Sequence, residues 1–175
     1  MISEALTCLV EEINEYFRNK LKENEDRVIL SGIVHQDGSV AIAAQNKIVL
    51  TLVNIEEEPS AKNNTGSSPP VKINLHLLFS AYFSKYDVAL HFLDNIIFFL
   101  QEKRVFTSAN TPRLDSSIGK ISVEMMSLTT DKLNNLWATM GAKYMPSVSY
   151  KLRMLSYQSS NRKEYRPAVT SARDE

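Results

Sequence analysis

The chain has 175 residues, of which 43% are hydrophobic, and its 20 basic and 20 acidic residues give a formal net charge of zero. This length suits one globular domain with a substantial core, and the balanced charge gives no electrostatic reason to expect a nucleic acid or an anionic membrane as a partner. A single cysteine excludes an intrachain disulfide framework, and no apolar run approaches the length of a membrane span.

The first predicted elements are a helix and a strand. Residues 3–24 carry apolar side chains at spacings of three and four, which is typical of an amphipathic helix. Cys8 lies beside that apolar stripe, and because no partner residue is evident nearby we interpret it as a packing residue rather than a reactive thiol. The pattern becomes that of a strand over residues 27–34, and the turn signal at Asp37 and Gly38 predicts a short returning strand.

The next segment, residues 46–58, is a compact apolar run, rich in β-branched residues, that ends at three carboxylates. Apolar side chains occur on both of its faces, with Ile48, Leu50 and Leu52 on one and Val49, Val53 and Ile55 on the other. A strand of this kind is covered on both sides and lies inside a sheet. We interpret Glu56, Glu57 and Glu58 as a solvated cluster that could face a basic patch on a neighbour, and residues 56–70 as an exposed, flexible loop.

A third strand and a second helix are predicted next. Residues 71–79 alternate between an apolar and a polar face, and only Leu78 interrupts the polar side. The helix, from about Ser84 to Lys103, is more apolar than one core-facing stripe requires. The side chains that widen its apolar surface are Val88, Phe92, Ile96, Phe98 and Phe99. Two interpretations stay open: further structure of the monomer covers these side chains, or they form a contact between subunits.

The last part of the chain predicts a strand, a helix and a strand. Residues 104–119 are expected to form a loop, and alternation over 121–126 predicts a strand. Thr129 to Asp131 begin a third helix that ends before Gly141, its predicted C′ residue. In the final strand, 147–155, Lys151 and Arg153 point outward.

Together these elements predict an α/β (α+β) sandwich. It has one mostly antiparallel or mixed sheet of about four to six strands, with helices packed on it. Residues 1–156 are expected to form a single domain that includes the loop 56–70, and residues 157–175 a polar C-terminal tail.

No catalytic chemistry is evident in the sequence. The three histidines show no spacing typical of a metal site, and the motifs of phosphate-binding loops and nucleophile elbows are absent. We therefore predict a protein that is not an enzyme and has no metal and no cofactor.

Several segments, taken in order, resemble one known family. They are residues 1–6, 11–16, 46–58, 69–83, 120–128 and 133–155. This ordered set is similar to the cap, or tail-terminator, proteins of phage-tail-like contractile injection systems of the antifeeding-prophage type, and the resemblance extends to about residue 156.

The resemblance implies a structural role. Such proteins form a six-fold ring at the distal end of the particle, stop polymerisation of tube and sheath, and hold the sheath to the tube. The implied partners are further copies of the chain in a homohexamer and the sheath and inner-tube proteins, with no nucleic acid and no membrane. Assembly is implied in the bacterial cytoplasm, within a particle that can be released. The alternative is a non-catalytic adaptor that tethers cargo or another particle component.

Candidate contacts follow from combining the two lines of reasoning. The apolar residues that widen the second helix are candidates for the subunit interface, because a ring needs a head-to-tail contact that closes. Glu56, Glu57, Glu58, Lys151 and Arg153 are candidates for sheath or tube contacts. Residues 147–155 are one candidate for an open sheet edge, to which a partner could add a strand.

Overall fold

A computed structural model describes residues 1–58 and 71–157, with side chains described up to residue 153. Its helices are α1 (Ile2–Lys20), α2 (Tyr86–Glu102) and α3 (Thr130–Met140), and its strands are β1 (Val28–Leu30), β2 (Lys47–Glu57), β3 (Val71–Tyr82), β4 (Val105–Thr107), β5 (Lys120–Met126) and β6 (Ser147–Tyr157). The six strands form one sheet in the order β1-β2-β3-β6-β5-β4, parallel between β1 and β2 and antiparallel elsewhere. The predicted mixed sheet with helices packed on it is confirmed.

The larger core lies between one face of the sheet and the helices α1 and α2. Buried residues of α1, such as Leu9, Ile13 and Phe17, recur at spacings of four, as an amphipathic helix requires. Phe17 meets Phe92 of α2 edge to face, with ring centroids 5.3 Å apart. The helix ends at Lys20, earlier than the predicted residue 24, because the backbone turns into the left-handed region at Lys22.

A smaller core covers part of the other face. Val49 of β2 and Leu78 of β3 pack there with Trp137 of α3. This explains the apolar residue that interrupts the polar side of β3: Leu78 is fully buried beneath the second layer. The predicted faces of β2 are confirmed at this end, because Ile48 belongs to the larger core and Val49 to the smaller one.

A β-bulge changes the faces in the second half of β2. The register with β3 shifts between Leu52 and Asn54, so Ile55 lies opposite Leu75, a residue of the larger core. Directly opposed residues of an antiparallel pair share a face. The prediction that Ile55 shares the face of Val53 is therefore wrong, because the bulge adds one residue between Leu52 and Asn54 and reverses the alternation after it.

Three local predictions differ from the structure. The strand predicted over 27–34 is limited to β1, and the expected return is a single bridge between Val34 and Val40. The predicted loop 104–119 contains β4. The strand β6 lies between β3 and β5, so the prediction that residues 147–155 form a sheet edge is wrong.

Two other predictions cannot be compared with the fold. Most of the expected loop 56–70 and of the tail 157–175 lies outside the described residues.

Among the described helices, none is both long and apolar enough to cross a lipid bilayer.

Candidate functional site

Beyond the smaller core, the same face of the sheet becomes polar and solvent-accessible. Glu56 of β2 lies at the centre of this surface, which we call the polar face. Its Oε2 accepts a hydrogen bond from Nζ of Lys151 at 2.7 Å and lies 2.9 Å from Nε2 of His76. Successive strands β2, β3 and β6 therefore each contribute one member of the cluster.

These contacts stabilise the ionised form of Glu56. The hydrogen bond from Lys151 is the main cause, followed by that from His76 and by the positive charge of Lys151, and together they lower the pKa of Glu56 to about 2. Glu56 is therefore an anion throughout the physiological range, and its charge is shared with groups of the same chain.

A second cluster extends the polar face towards β5. Nδ2 of Asn74 donates a hydrogen bond to Oε2 of Glu58 at 2.7 Å. Arg153 forms ion pairs with Glu124, at 3.1 Å from its Nε, and with Glu58, at 3.9 Å from its Nη1. With Glu56 and Lys151 included, the polar face presents three carboxylates and two cations, and all five side chains keep contact with solvent.

The structure brings together four of the five residues predicted to contact sheath or tube. Glu56, Glu58, Lys151 and Arg153 share the polar face, whereas Glu57 lies opposite Ile73 and points to the other face of the sheet. Sequence reasoning did not include His76, Asn74 and Glu124 in the set. Their alternation with apolar neighbours was visible in the sequence, but assigning them to one surface required the strand order. Contact of these residues with sheath or tube stays a prediction.

The residues predicted for a subunit interface fall in two environments. Phe92, Ile96 and Phe99 are buried in the larger core, so a neighbouring subunit could reach them only if that core opened. Val88 is partly buried, and only Phe98, with 64% of its surface accessible, is freely exposed. Monomer packing therefore accounts for most of the apolar width of α2. A subunit contact through this helix stays a prediction, and its described surface offers Phe98 for it.

Asparagine side chains form hydrogen bonds with outward-facing backbone groups of the two outer strands of the sheet. Asn14 of α1 is buried, accepts a hydrogen bond from the N–H of Val28 at 2.8 Å and donates one to the C=O of the same residue at 2.9 Å. At the other edge, Asn110 accepts from the N–H of Thr107 at 2.8 Å and donates to the C=O of Val105 at 2.9 Å. Each side-chain amide thus makes hydrogen bonds that a neighbouring strand would otherwise make.

Other features of the described residues do not indicate catalysis or metal binding. No group of three or more His, Cys, Asp or Glu side chains in ranges 1–58 and 71–157 is arranged to hold a metal ion. An open, mainly apolar groove of about 710 Å³ lies beside the start of α2, with Val40, Tyr86 and Tyr144 on its walls. Cys8 is buried, and burial raises the pKa of its thiol, so it packs as predicted rather than forming a reactive thiolate.

The solved structures that share this fold include two terminator proteins. One is the sheath/tube terminator, in the extended state, of the extracellular contractile injection system PVC, with a TM-score of 0.63, 13% sequence identity, and coverage of 100% of this chain and 64% of that chain. The other is the tube-terminating cap of the anti-feeding prophage AFP, with a TM-score of 0.55, 13% identity, and coverage of 94% and 58%. The fold is therefore that of terminator caps, and this chain spans about three fifths of the solved chains' length.

A comparison of the sequence with protein families identifies the family of this chain. Residues 4–171 match the Pvc16 N-terminal domain family, so the chain belongs to that family. The resemblance seen in the sequence is thereby confirmed. No curated protein matches the chain.

Proposed function

We propose that this protein is a structural cap of a contractile injection system, which ends the polymerisation of tube and sheath at the distal end and ties the sheath to the tube. The observation that carries this proposal is the family match over residues 4–171 together with the shared fold of two terminators. The role is structural rather than catalytic. Assembly takes place in the bacterial cytoplasm as a ring of identical subunits, proposed to be a hexamer, and the particle is later released.

The polar face is the proposed contact surface for sheath or tube. It carries charges of both signs, and four of its charged groups, Glu56, Glu124, Lys151 and Arg153, lie on strands β2, β5 and β6 of one sheet, which holds them in fixed positions. Exposed ion pairs contribute little affinity individually, about 0–1 kcal/mol, so we expect this surface to determine orientation and partner choice more than binding strength. Such a contact weakens as ionic strength rises.

The function is tested by imaging particles from cells that lack the protein. We expect particles that are absent, unstable or variable in length with an open distal end, and a return to uniform capped particles when the wild-type gene is supplied. Particles of normal length with an intact cap in the deletion strain would contradict the proposal. The adaptor role would then be favoured, because the fold alone does not define function.

The polar face is tested by a matched pair of substitutions. Arg153→Gln removes one cation from this surface, and Arg18→Gln removes one from α1; both arginines are about two fifths exposed and each has a carboxylate partner. We expect Arg153→Gln to lower the amount of protein retained on particles washed at raised salt, and Arg18→Gln to leave it unchanged. Equal retention of both variants and the wild type would remove the polar face from the interface.

A further inference from the structure

On the described chain, the two strands next to the edge strands extend beyond their outer partners. The parallel pairing of β1 with β2 covers Ile48 to Leu50, so residues 52–57 extend beyond it; we call them the β2 overhang. The pairing of β4 with β5 ends at Ser122, and residues 123–126 form a β5 overhang, in which the N–H of Val123 is still bonded to the C=O of Arg104. Exposed backbone of this kind is a template for pairing with another strand.

The two overhangs are at the same level of the sheet. Ile55 lies opposite Leu75, Leu75 opposite Leu152, and Leu152 opposite Val123, so one row of residues joins the two edges. Each of the four strands is antiparallel to the next, and β2 and β5 therefore run in opposite directions. A second copy placed beside the first in the same orientation brings the β5 overhang of one copy antiparallel to the β2 overhang of the other.

The apolar side chains of the overhangs also correspond. Ile55 and Met125 are 49% and 56% exposed, and both lie on the sheet face that carries α1 and α2. A cavity of about 260 Å³ lies between α2 and β5, beside the β5 overhang, and Ile97, Val123 and Met125 form part of its wall. Exposed apolar residues at both edges, with a cavity at one, are the features expected of an interface.

We propose that the β5 overhang of one copy pairs with the β2 overhang of the next, so that the sheet continues from subunit to subunit around a closed ring. This inference rests on the proposed function, because the ring is the assembly that a cap requires. The occupant is a second copy, since the overhangs match each other in direction, level and apolar content. A head-to-tail ring needs two such different, complementary surfaces on one chain.

The hydrogen bonds within the chain determine the register. The N–H of Val123 donates to the C=O of Arg104, at 2.8 Å, so the backbone groups of Val123 and Met125 point outward from β5. The N–H of Glu58 donates to the C=O of Lys72, at 2.9 Å, so Glu58 points towards β3, and Ile55 and Glu57 point outward.

Placing Met125 opposite Ile55 then forms two hydrogen bonds, because the N–H groups of Met125 and Ile55 donate to each other's C=O. Pairing stops there, because Val123 already donates its N–H to the C=O of Arg104. Cross-strand Ile55 and Met125 share one face, and the side chain of Ile55 lies at the mouth of the cavity.

Charge on the opposite face does not prevent this register. Glu56 of one copy and Glu124 of the next lie directly opposite each other across the junction. Each carboxylate has a cation of its own chain beside it, Lys151 and Arg153 respectively. The repulsion is therefore between two ion pairs rather than between two isolated anions.

Disulfide cross-linking in purified particles tests the register. The variant with both Ile55→Cys and Met125→Cys is supplied as the only copy, because Cα atoms of a hydrogen-bonded antiparallel pair lie about 5.5 Å apart, within the range for a disulfide. Within one chain the two positions are separated by three strand spacings, roughly 14 Å, so only neighbouring subunits can be joined. We expect loss of the monomer band and a ladder of covalent oligomers that ends at the closed ring and disappears on reduction.

The control keeps Ile55→Cys and replaces Glu124 instead of Met125. Glu124→Cys is one residue away but on the opposite face of the sheet, so we expect the monomer band to remain. If the first variant stays monomeric while the protein remains on capped particles at the wild-type amount, the interface is elsewhere and the inference is overturned, although the proposed function stands. If the wild-type protein is absent from capped particles of normal length, the proposed function itself has failed.

A backbone substitution gives an independent readout. Met125→Pro removes an outward N–H that no other described strand uses, and Met126→Pro removes an N–H that points towards β6. We expect Met125→Pro to keep the wild-type circular dichroism spectrum and to be lost from particles. A folded Met125→Pro variant that still forms rings would contradict the pairing. If it does not fold, as we expect of Met126→Pro, the cross-linking result decides.

Discussion

Replacing Asn14 with alanine tests how the edge of the sheet is held. The substitution removes both hydrogen bonds between α1 and Val28, at 2.8 and 2.9 Å, and leaves the N–H and C=O of Val28 without their partner. Val28 is 1% exposed and Asn14 is 4% exposed, so water replaces the lost amide poorly. An unsatisfied buried polar group destabilises a protein by about 1–3 kcal/mol, and two such groups at an edge strand give an expected loss of about 2–4 kcal/mol.

Urea unfolding followed by circular dichroism measures this loss. Asn19→Ala is the matched control, because Asn19 lies on the same helix with an exposed side chain and should change the free energy of unfolding by less than about 0.5 kcal/mol. Hydrogen exchange provides the local readout: the amide of Val28 should exchange faster in Asn14→Ala and at the wild-type rate in Asn19→Ala. Equal stabilities and equal exchange of the two variants would refute the idea that Asn14 holds β1.

Three further predictions follow from burial and charge. Leu78→Ala should lower the free energy of unfolding by about 2–5 kcal/mol. Because Trp137 packs in the same small core, the fluorescence of the native protein should also shift to the red. An unshifted spectrum with wild-type stability would contradict the existence of this smaller core. The pKa of Glu56 is lowered from 4.5 to about 2, so its contribution to stability is present above pH 4.5 and is lost as the pH falls towards 2. Glu56→Gln should flatten the dependence of unfolding free energy on pH in that window while Glu57→Gln preserves it, and identical profiles would show that the contacts of Glu56 are not responsible. Because burial raises the pKa of Cys8, a thiol reagent at pH 8 should react far more slowly with the native protein than with the protein in urea, whereas equal rates would mean that the thiol is accessible.

Local patterns in the sequence predicted the elements of this fold well. Apolar spacing identified α1, and Gly141, with φ of 63°, ends α3 as its position after the periodic segment indicates. Alternation identified β3, including the anomaly at Leu78. Each of these signals is carried by residues close together in the chain, which is why sequence reasoning could find them.

Features that depend on distant pairing were not predictable in the same way. Lys151 and Arg153 indicated that one face of β6 meets solvent, but a solvent-facing side chain does not distinguish an edge strand from an inner one. The bulge after Leu52 has no glycine or proline to signal it, and it reverses the faces of every residue after it in β2.

The helix α2 shows the same limit. Its sequence showed an apolar surface wider than one stripe, and α1 covers that extra width: Tyr16 lies beside Phe99, with ring centroids 5.1 Å apart. Phe98 and Phe99 are adjacent in sequence but point about 100° apart on a helix, so one is exposed and the other is buried. Which of the two is covered depends on where α1 docks, and that information is not in the sequence of α2.

Asparagine side chains cap the outer strands of the sheet, and this gives a physical reason to expect an interface at the overhangs instead. An asparagine side chain carries an NH2 donor group and a carbonyl acceptor, so a single residue can bond both an outward N–H and an outward C=O of an edge strand, as Asn14 and Asn110 do. Short, capped edge strands are a known way to prevent unwanted pairing between sheets. Among the described residues, no asparagine side chain caps the two overhangs, and they lie in one row towards opposite edges of the sheet. These two matching positions are the basis of the proposed pairing, because head-to-tail addition of identical subunits needs two different, complementary surfaces on one chain.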